Sequence, residues 1–214
     1  DFDIKGPPSA AALALLEPWR AKLPPEVFGD PVELPVMGTR GRLRQNLLEA
    51  AALLKQAGYR VQDLRLVDKA GKPVELDLML GYGVTQERYI SQFVANLDRL
   101  GIQVNIKLYD NSTVRQLTAR YAYDMRISMP NLPVLITPGV EMRNEFASDG
   151  VKRLDSRNLS GADDPVVDDM LKTVATATDR ETGVNAMKAL NRGLVWGYYT
   201  VPTAHVYPAP TGVM

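Results

Sequence analysis

Apolar and polar residues alternate through VELDLML, where Val74, Leu76, Leu78 and Leu80 are separated by Glu75, Asp77 and Met79. The same period of two runs through IQVNIKL, with Ile102, Val104, Ile106 and Leu108 set between Gln103, Asn105 and Lys107. Successive side chains of an extended chain point to opposite faces, so both runs predict β-strands. Between them Ile90, Phe93, Val94 and Leu97 recur at helical spacing. Thr85 is the expected N-cap, Glu87 suits the positive end of the helix dipole, and Gly101 ends the helix. Strand, crossover helix and strand make a βαβ unit, which calls for parallel strands and a right-handed connection.

Other elements extend this core. Leu43, Leu47, Ala50 and Leu54 predict a helix over Arg42 to Ala57, with Gly58 just past its end. DKAGKP predicts a turn that closes a small hairpin from Val61 to Val67 against the next strand. A helix follows over Ser112 to Tyr121, and a third strand runs through Tyr123, Met125, Ile127 and Met129. Strands buried on both faces of a parallel sheet are usually apolar throughout, so the polar alternate positions predict a face that is thinly covered or that leans on a region outside this chain. Towards the C-terminus, Asp164 and Pro165 open one helix, with Val167, Met170, Leu171 and Val174 inward. A capping box of Thr178 and Glu181 opens the next, with Val184, Met187, Leu190 and Leu194 inward and its end near Gly197. Thr203 to Tyr207 predicts a short last strand. At the N-terminus, Ala10 to Leu23 predicts a helix broken at Pro18, and LPPEVFGDPVELP predicts an extended surface connector. The fold class is α/β: a parallel-containing sheet with flanking helices.

Composition narrows the chemistry. The 214 residues carry 25 Lys plus Arg against 25 Asp plus Glu, so there is no electrostatic footprint for nucleic acid. No apolar run approaches the roughly 18 residues that suggest a membrane-spanning helix. Without cysteine there is no thiol nucleophile, disulfide or cysteine-based metal site, and His205 is the only histidine. The irregular loop after the third strand sits at the mouth of the sheet, where α/β folds bind ligands. Glu141 and Arg143 follow its TPG turn, either as cleft residues or as a surface charge pair. Tyr82, in a GYG turn without a phosphate-binding pattern, offers a broad apolar face with a polar tip. Asp163, Asp164, Asp168 and Asp169 lack calcium-loop spacing and read as helix capping and dipole complements. Trp196, Tyr198 and Tyr199 are expected to pack the last helix into the core. Binding is therefore expected rather than catalysis, with no cofactor and no metal. Asp1 and the exit after PAPTGV suggest a piece of a longer protein.

The segments LLKQAGY, DKAGKPVELDLML, FVANLDRLGIQVNIKLYD and the helix leading to YDM resemble the second lobe of bacterial extracellular solute-binding proteins. These are the ABC-importer receptors of the peptide/nickel class, family 5. TPGVEMRNEF, SRNLSGADDPVVDDML and YYTVPTAHVY resemble segments of its oligopeptide and microcin C uptake subgroup. The resemblance implies one lobe of a type II periplasmic-binding-protein fold over residues 1–214, with a proline-rich lead-in over 1–40 and an exit over 208–214. It implies an extracytoplasmic, periplasmic setting. The implied partners are a peptide or peptide-like ligand, the remaining lobe of the parent chain and ABC permease membrane subunits. A ligand-sensing domain of a regulator is the alternative. Many such receptors carry a Trp and an Asp after the YD strand, and SMPNLPVLITPG has neither. The expected ligand contacts are accordingly Tyr82, Ser128, Met129, Asn131, Thr137, Gly139, Glu141 and Arg143.

Overall fold

The computed structural model describes residues 6–30, 40–81, 87–127, 141–154 and 156–201. In chain order they form α1 (Ala10–Leu16), α2 (Arg40–Gln56), β1 (Arg60–Gln62), β2 (Arg65–Val67) and β3 (Glu75–Gly81). There follow α3 (Glu87–Arg99), β4 (Gln103–Tyr109), α4 (Asn111–Ala119), β5 (Met125–Arg126), α5 (Met142–Phe146), α6 (Pro165–Thr176) and α7 (Arg180–Trp196). Two compact units result. Unit 1 joins the two ends of the chain, Asp1–Val32 and Val134–Met214, and unit 2 is the continuous stretch Glu33–Pro133.

Unit 2 is the predicted βαβ core. Its sheet has the order β4-β3-β5, and both pairings are parallel. Leu78 stands opposite Ile106 on one side and Met125 on the other. This register gathers Leu78, Leu80, Val104 and Met125 beneath Ile90 and Val94 of α3. The opposite face carries Asp77, Met79, Asn105 and Arg126, and there α4 packs: the Arg126 guanidinium donates to Thr118 Oγ1 at 2.7 Å. The two helices thus cover opposite faces. The first crossover runs from β3 to β4 and the second returns from β4 past β3 to β5, so a common right-handed sense puts their helices on opposite faces.

The polar alternate positions now have an account. On the α4 face, Gln103 donates to Asn105 at 3.0 Å and Asn105 donates to Asp77 at 3.2 Å. The Asp77 N–H donates to the Asp124 carboxylate at 2.7 Å. A ladder of mutual hydrogen bonds lets these groups sit half-buried at small cost. On the edge strand, Ile106 and Leu108 remain 46% and 50% exposed. The third strand is shorter than the alternation predicts: Met125 and Arg126 pair with β3, Ile127 does not, and Met129 lies outside the described residues. Asp110 caps α4 by accepting from Ser112 and Thr113 N–H groups, and its pKa is lowered chiefly by the Thr113 hydroxyl.

The hairpin of β1 and β2 is held by backbone contact. Leu66 N–H donates to the carbonyl of Gly101 at 2.8 Å. Gly101 has φ +82°, and a Cβ there would lie 2.6 Å from the Leu66 nitrogen. Glycine is required here on two counts, conformation and space.

Unit 1 packs α1, α6 and α7 around Leu16, Val27, Met170, Leu171 and Leu190. Asp164 caps α6 by accepting from Val166 N–H at 2.8 Å, with Pro165 first in the helix, as predicted. The cap of α7 is Asp179, which accepts from Thr182 N–H at 2.9 Å and from its hydroxyl at 2.8 Å. This corrects the expected Thr178 and Glu181 box by one residue, since a carboxylate at the capping position outcompetes a hydroxyl one step earlier. Pro18 ends α1 as expected, with a 3-10 turn over Glu17–Trp19.

The supposed surface connector is partly core. Within it Pro25–Phe28 form a 3-10 turn, and Val27 is fully buried. Proline pre-sets the φ of the first residue of such a turn. Arg192, only 2% exposed, holds the turn down by donating to the carbonyls of Val27 at 3.2 Å and Gly29 at 2.9 Å, and to that of Gly6. Burial lowers the Arg192 pKa, and the charge of Asp30 works against that shift. Trp196 and Tyr199 pack against this core, whereas Tyr198 is 70% exposed at φ +52° and does not.

Replacing Gly101 by Ala is expected to destabilise the protein by about 2–3 kcal/mol, from left-handed strain plus a backbone clash. An unchanged urea midpoint would refute the clash. Arg192→Met leaves three carbonyls without their donor and is expected to cost about 3 kcal/mol. Its signature is faster amide exchange across Val27 to Gly29, and protection equal to that of the unaltered protein would exclude the clamp.

Candidate functional site

Unit 1 carries a polar depression of about 350 Å³, lined by Glu141, Arg143, Asn144, Asp149 and Arg153. Two short elements supply it. The α5 helix carries Arg143 and Asn144, and Met142 beside them is buried and anchors the helix. A 3-10 turn over Ser148–Lys152 carries Asp149. Across the depression Arg143 Nη2 lies 3.7 Å from Asp149 Oδ2, with both side chains substantially exposed. A pair this open to solvent is weak, so either partner can exchange the other for a ligand group.

The walls are firmer than the rim. Ser148 donates its N–H to Asp168 Oδ1 at 2.9 Å and its hydroxyl to Asp168 Oδ2. Asn158, 1% exposed, donates to the carbonyls of Ala147 at 3.0 Å and Ala162 at 2.8 Å. Its own carbonyl accepts from Ala162 N–H at 3.0 Å and from Ser160 Oγ at 3.2 Å. All the capacity of that buried amide is used, which ties Ala147, at the start of the turn, to the segment that precedes α6. Gly150 fits beneath because it lacks a side chain: a Cβ there would stand 2.5 Å from Ser156 Oγ. Asn158 is therefore the buried polar brace of the SRNLSG segment.

The aspartate cluster is spent on the same bracing. Asp164 caps α6 and accepts from the Tyr199 hydroxyl at 3.3 Å, while Asp169 accepts from Trp19 Nε1 at 2.9 Å. Burial first, and then the Asp164 charge, raise the Tyr199 pKa. Asp168 lies in the first turn of α6, as the dipole reading expects, and also binds Ser148, whereas Asp169 is taken up by Trp19. Among the described residues no three acidic or histidine side chains are grouped to hold a metal ion.

Of the expected ligand contacts, Glu141 and Arg143 meet in this depression. Tyr82, Ser128, Met129, Asn131, Thr137 and Gly139 lie outside the described residues, as does His205. In the chain, Tyr82 follows the last residue of β3, and Ser128 comes two residues after β5. Sequence reasoning missed Asn144, Asp149 and Arg153. Asp149 and Arg153 stand four apart, a spacing that suggests a shared turn but not proximity to Arg143. The depression offers two guanidinium groups, two carboxylates and one amide. It can meet both donors and acceptors of a polar solute, and among the described residues no nucleophile with an adjacent base lines it.

No protein-family profile matches the chain. It is 34% identical over 198 residues to an uncharacterized protein, y4wM, of Sinorhizobium fredii, covering 92% of this chain and 29% of that one. It is 32% identical over 198 residues to a probable peptide-binding protein, YejA, of Agrobacterium fabrum, covering 92% of this chain and 32% of that one. Among solved structures, it matches a periplasmic oligopeptide-binding protein of Thermotoga maritima, solved with mannohexaose bound. The TM-score is 0.65 at 21% identity, covering 79% of this chain and 34% of the other. The chain thus spans about a third of the length of the curated relatives it matches. Relatives and structural neighbours named for their role are binding proteins, not enzymes. The chain is related in sequence to a probable peptide-binding protein, shares the α/β fold of solved periplasmic binding proteins, and corresponds to about a third of their length.

Proposed function

We propose that this chain is the second lobe of a two-lobed receptor of an ABC importer. The receptor captures an oligopeptide or peptide-like solute in the periplasm and delivers it to the permease. The observation that carries this reading is the relationship, over 92% of the chain, to a probable peptide-binding protein. The polar depression supports it. A planar guanidinium such as that of Arg143 takes a carboxylate in fork geometry, and Glu141 accepts from an ammonium or amide group. Capture works by closure: a solute that touches both lobes favours the closed state by the contacts it makes only there. One lobe alone supplies part of those contacts.

Mass spectrometry of material co-purified with the full-length parent is expected to recover peptides. A sugar, a lipid or a bare metal ion in their place would overturn the substrate class. In that parent, Arg143→Ala is expected to weaken the recovered ligand about 10- to 100-fold by calorimetry, the effect of one lost charge-assisted hydrogen bond. The 214-residue chain by itself is expected to bind the same ligand weakly or not at all, and tight binding by it would contradict the two-lobe reading.

A further inference from the structure

The arginine expected to take a solute's carboxylate already has one beside it. Asp149 Oδ2 stands 3.7 Å from Arg143 Nη2, whereas a closed charge-assisted pair lies at roughly 2.7–2.9 Å. Both partners are held from behind. Arg143 rides on α5, whose Met142 is buried, and its carbonyl accepts from Ala147 N–H at 3.0 Å. Asp149 lies between Gly150 and Ser148, which Asp168 binds at both N–H and hydroxyl. Gly150 is buried, donates to the Ala147 carbonyl at 3.0 Å and leaves no room for a Cβ beside Ser156 Oγ. The backbones are set, so the two charges face each other across the depression without closing on one another.

Such a carboxylate competes with any that arrives from solution. It is tethered to the same chain as Arg143, so its effective concentration at the guanidinium is high. It is also an anion next to the place where a second anion must settle, and like charges at that range repel. Its hold stays modest, because the side chains of Arg143 and Asp149 are 41% and 60% exposed. Exchange therefore costs little enough to occur and enough to be measured. A neutral solute group, such as an amide, neither needs the charge of the guanidinium nor meets this repulsion. Asp149 thus lowers the preference of the depression for a carboxylate over an amide.

We propose that Asp149 is a built-in competitor for the solute carboxylate at Arg143. Without solute, Arg143 pairs with Asp149; with it, the solute carboxylate takes that place. The exchange loosens the grip on acidic groups, and the pair re-forms as the solute departs, so release leaves no bare cation behind. This competition presupposes that Arg143 takes a carboxylate, as proposed above.

The test is an NMR titration of the 214-residue chain at constant ionic strength, read at the side-chain Nε–Hε signal of Arg143. The probes are N-acetylglycine, which has the carboxylate end of a peptide, and N-acetylglycinamide, its neutral counterpart. Asp149→Ala is expected to tighten N-acetylglycine about two- to sixfold and to leave N-acetylglycinamide unchanged. Asp149→Asn, which keeps the shape and removes the charge, is expected to tighten N-acetylglycine as well. Equal affinities in the native and Asp149→Ala chains, tightening by Asp149→Asn alone, or equal tightening of both probes would each overturn the proposal and leave the role of Arg143 standing. A signal that N-acetylglycine leaves unmoved in every chain would overturn both. The importer reading is decided separately, by the solute recovered from the parent.

Discussion

Unit 1 depends on one buried cation. Arg192 lies on α7, and the carbonyls it binds belong to residues more than 160 positions earlier in the chain. A guanidinium is costly to bury, and it is tolerated only where its N–H groups find acceptors. Val27 in the turn and Gly29 just after it each offer a carbonyl to Nη1, and Gly6 offers a third to Nη2. Cation and turn thus justify each other. With the turn fixed, Val27 falls into the core beside Leu190, and Trp19 reaches Asp169. The C-terminal helices then brace the Ser148 turn through Asp168, and that turn carries one wall of the polar depression. Core and candidate site are linked by this sequence of contacts.

Unit 2 follows a different logic, in which register does most of the organising. Because side chains alternate, one pairing of β3 with β4 sorts apolar groups to α3 and polar groups to α4. The polar face is stabilised by amide and carboxylate side chains that bond to one another along the strands. A slip of one residue would bury Asp77 and Asn105 under α3, so the ladder defends the register as well as filling the face.

Much of this was legible in the chain. Period-two runs gave β3 and β4, helical spacing gave α3, and glycines at 58 and 101 marked the stops because those positions need positive φ. Asp164 followed by Pro165 announced α6 through chemistry that acts over three residues. What was not legible depends on distant partners. Nothing near Arg192 in sequence hints that it faces inward, since its acceptors are backbone groups of a turn that reads as surface. Asp168 and Asp169 resemble helix-end charges until Ser148 and Trp19 arrive from elsewhere. The depression shows the same limit: Glu141 and Arg143 are neighbours in sequence and were found together, while Asp149 and Arg153 join them only through folding. The shortness of β5 had no local cause, because Ile127 continues the alternation without pairing.

A discontinuous unit also imposes an order on synthesis. Unit 2 is complete once residue 133 has left the ribosome, and its contacts are comparatively local. Unit 1 cannot close then, because Leu16 and Val27 must wait for Leu190 and Arg192. At typical translation speeds the stretch from residue 133 to Arg192 takes roughly 3–12 s to synthesise. Until then Ala12 and Leu16 of the N-terminal helix lack the partners that bury them, so unit 1 closes last.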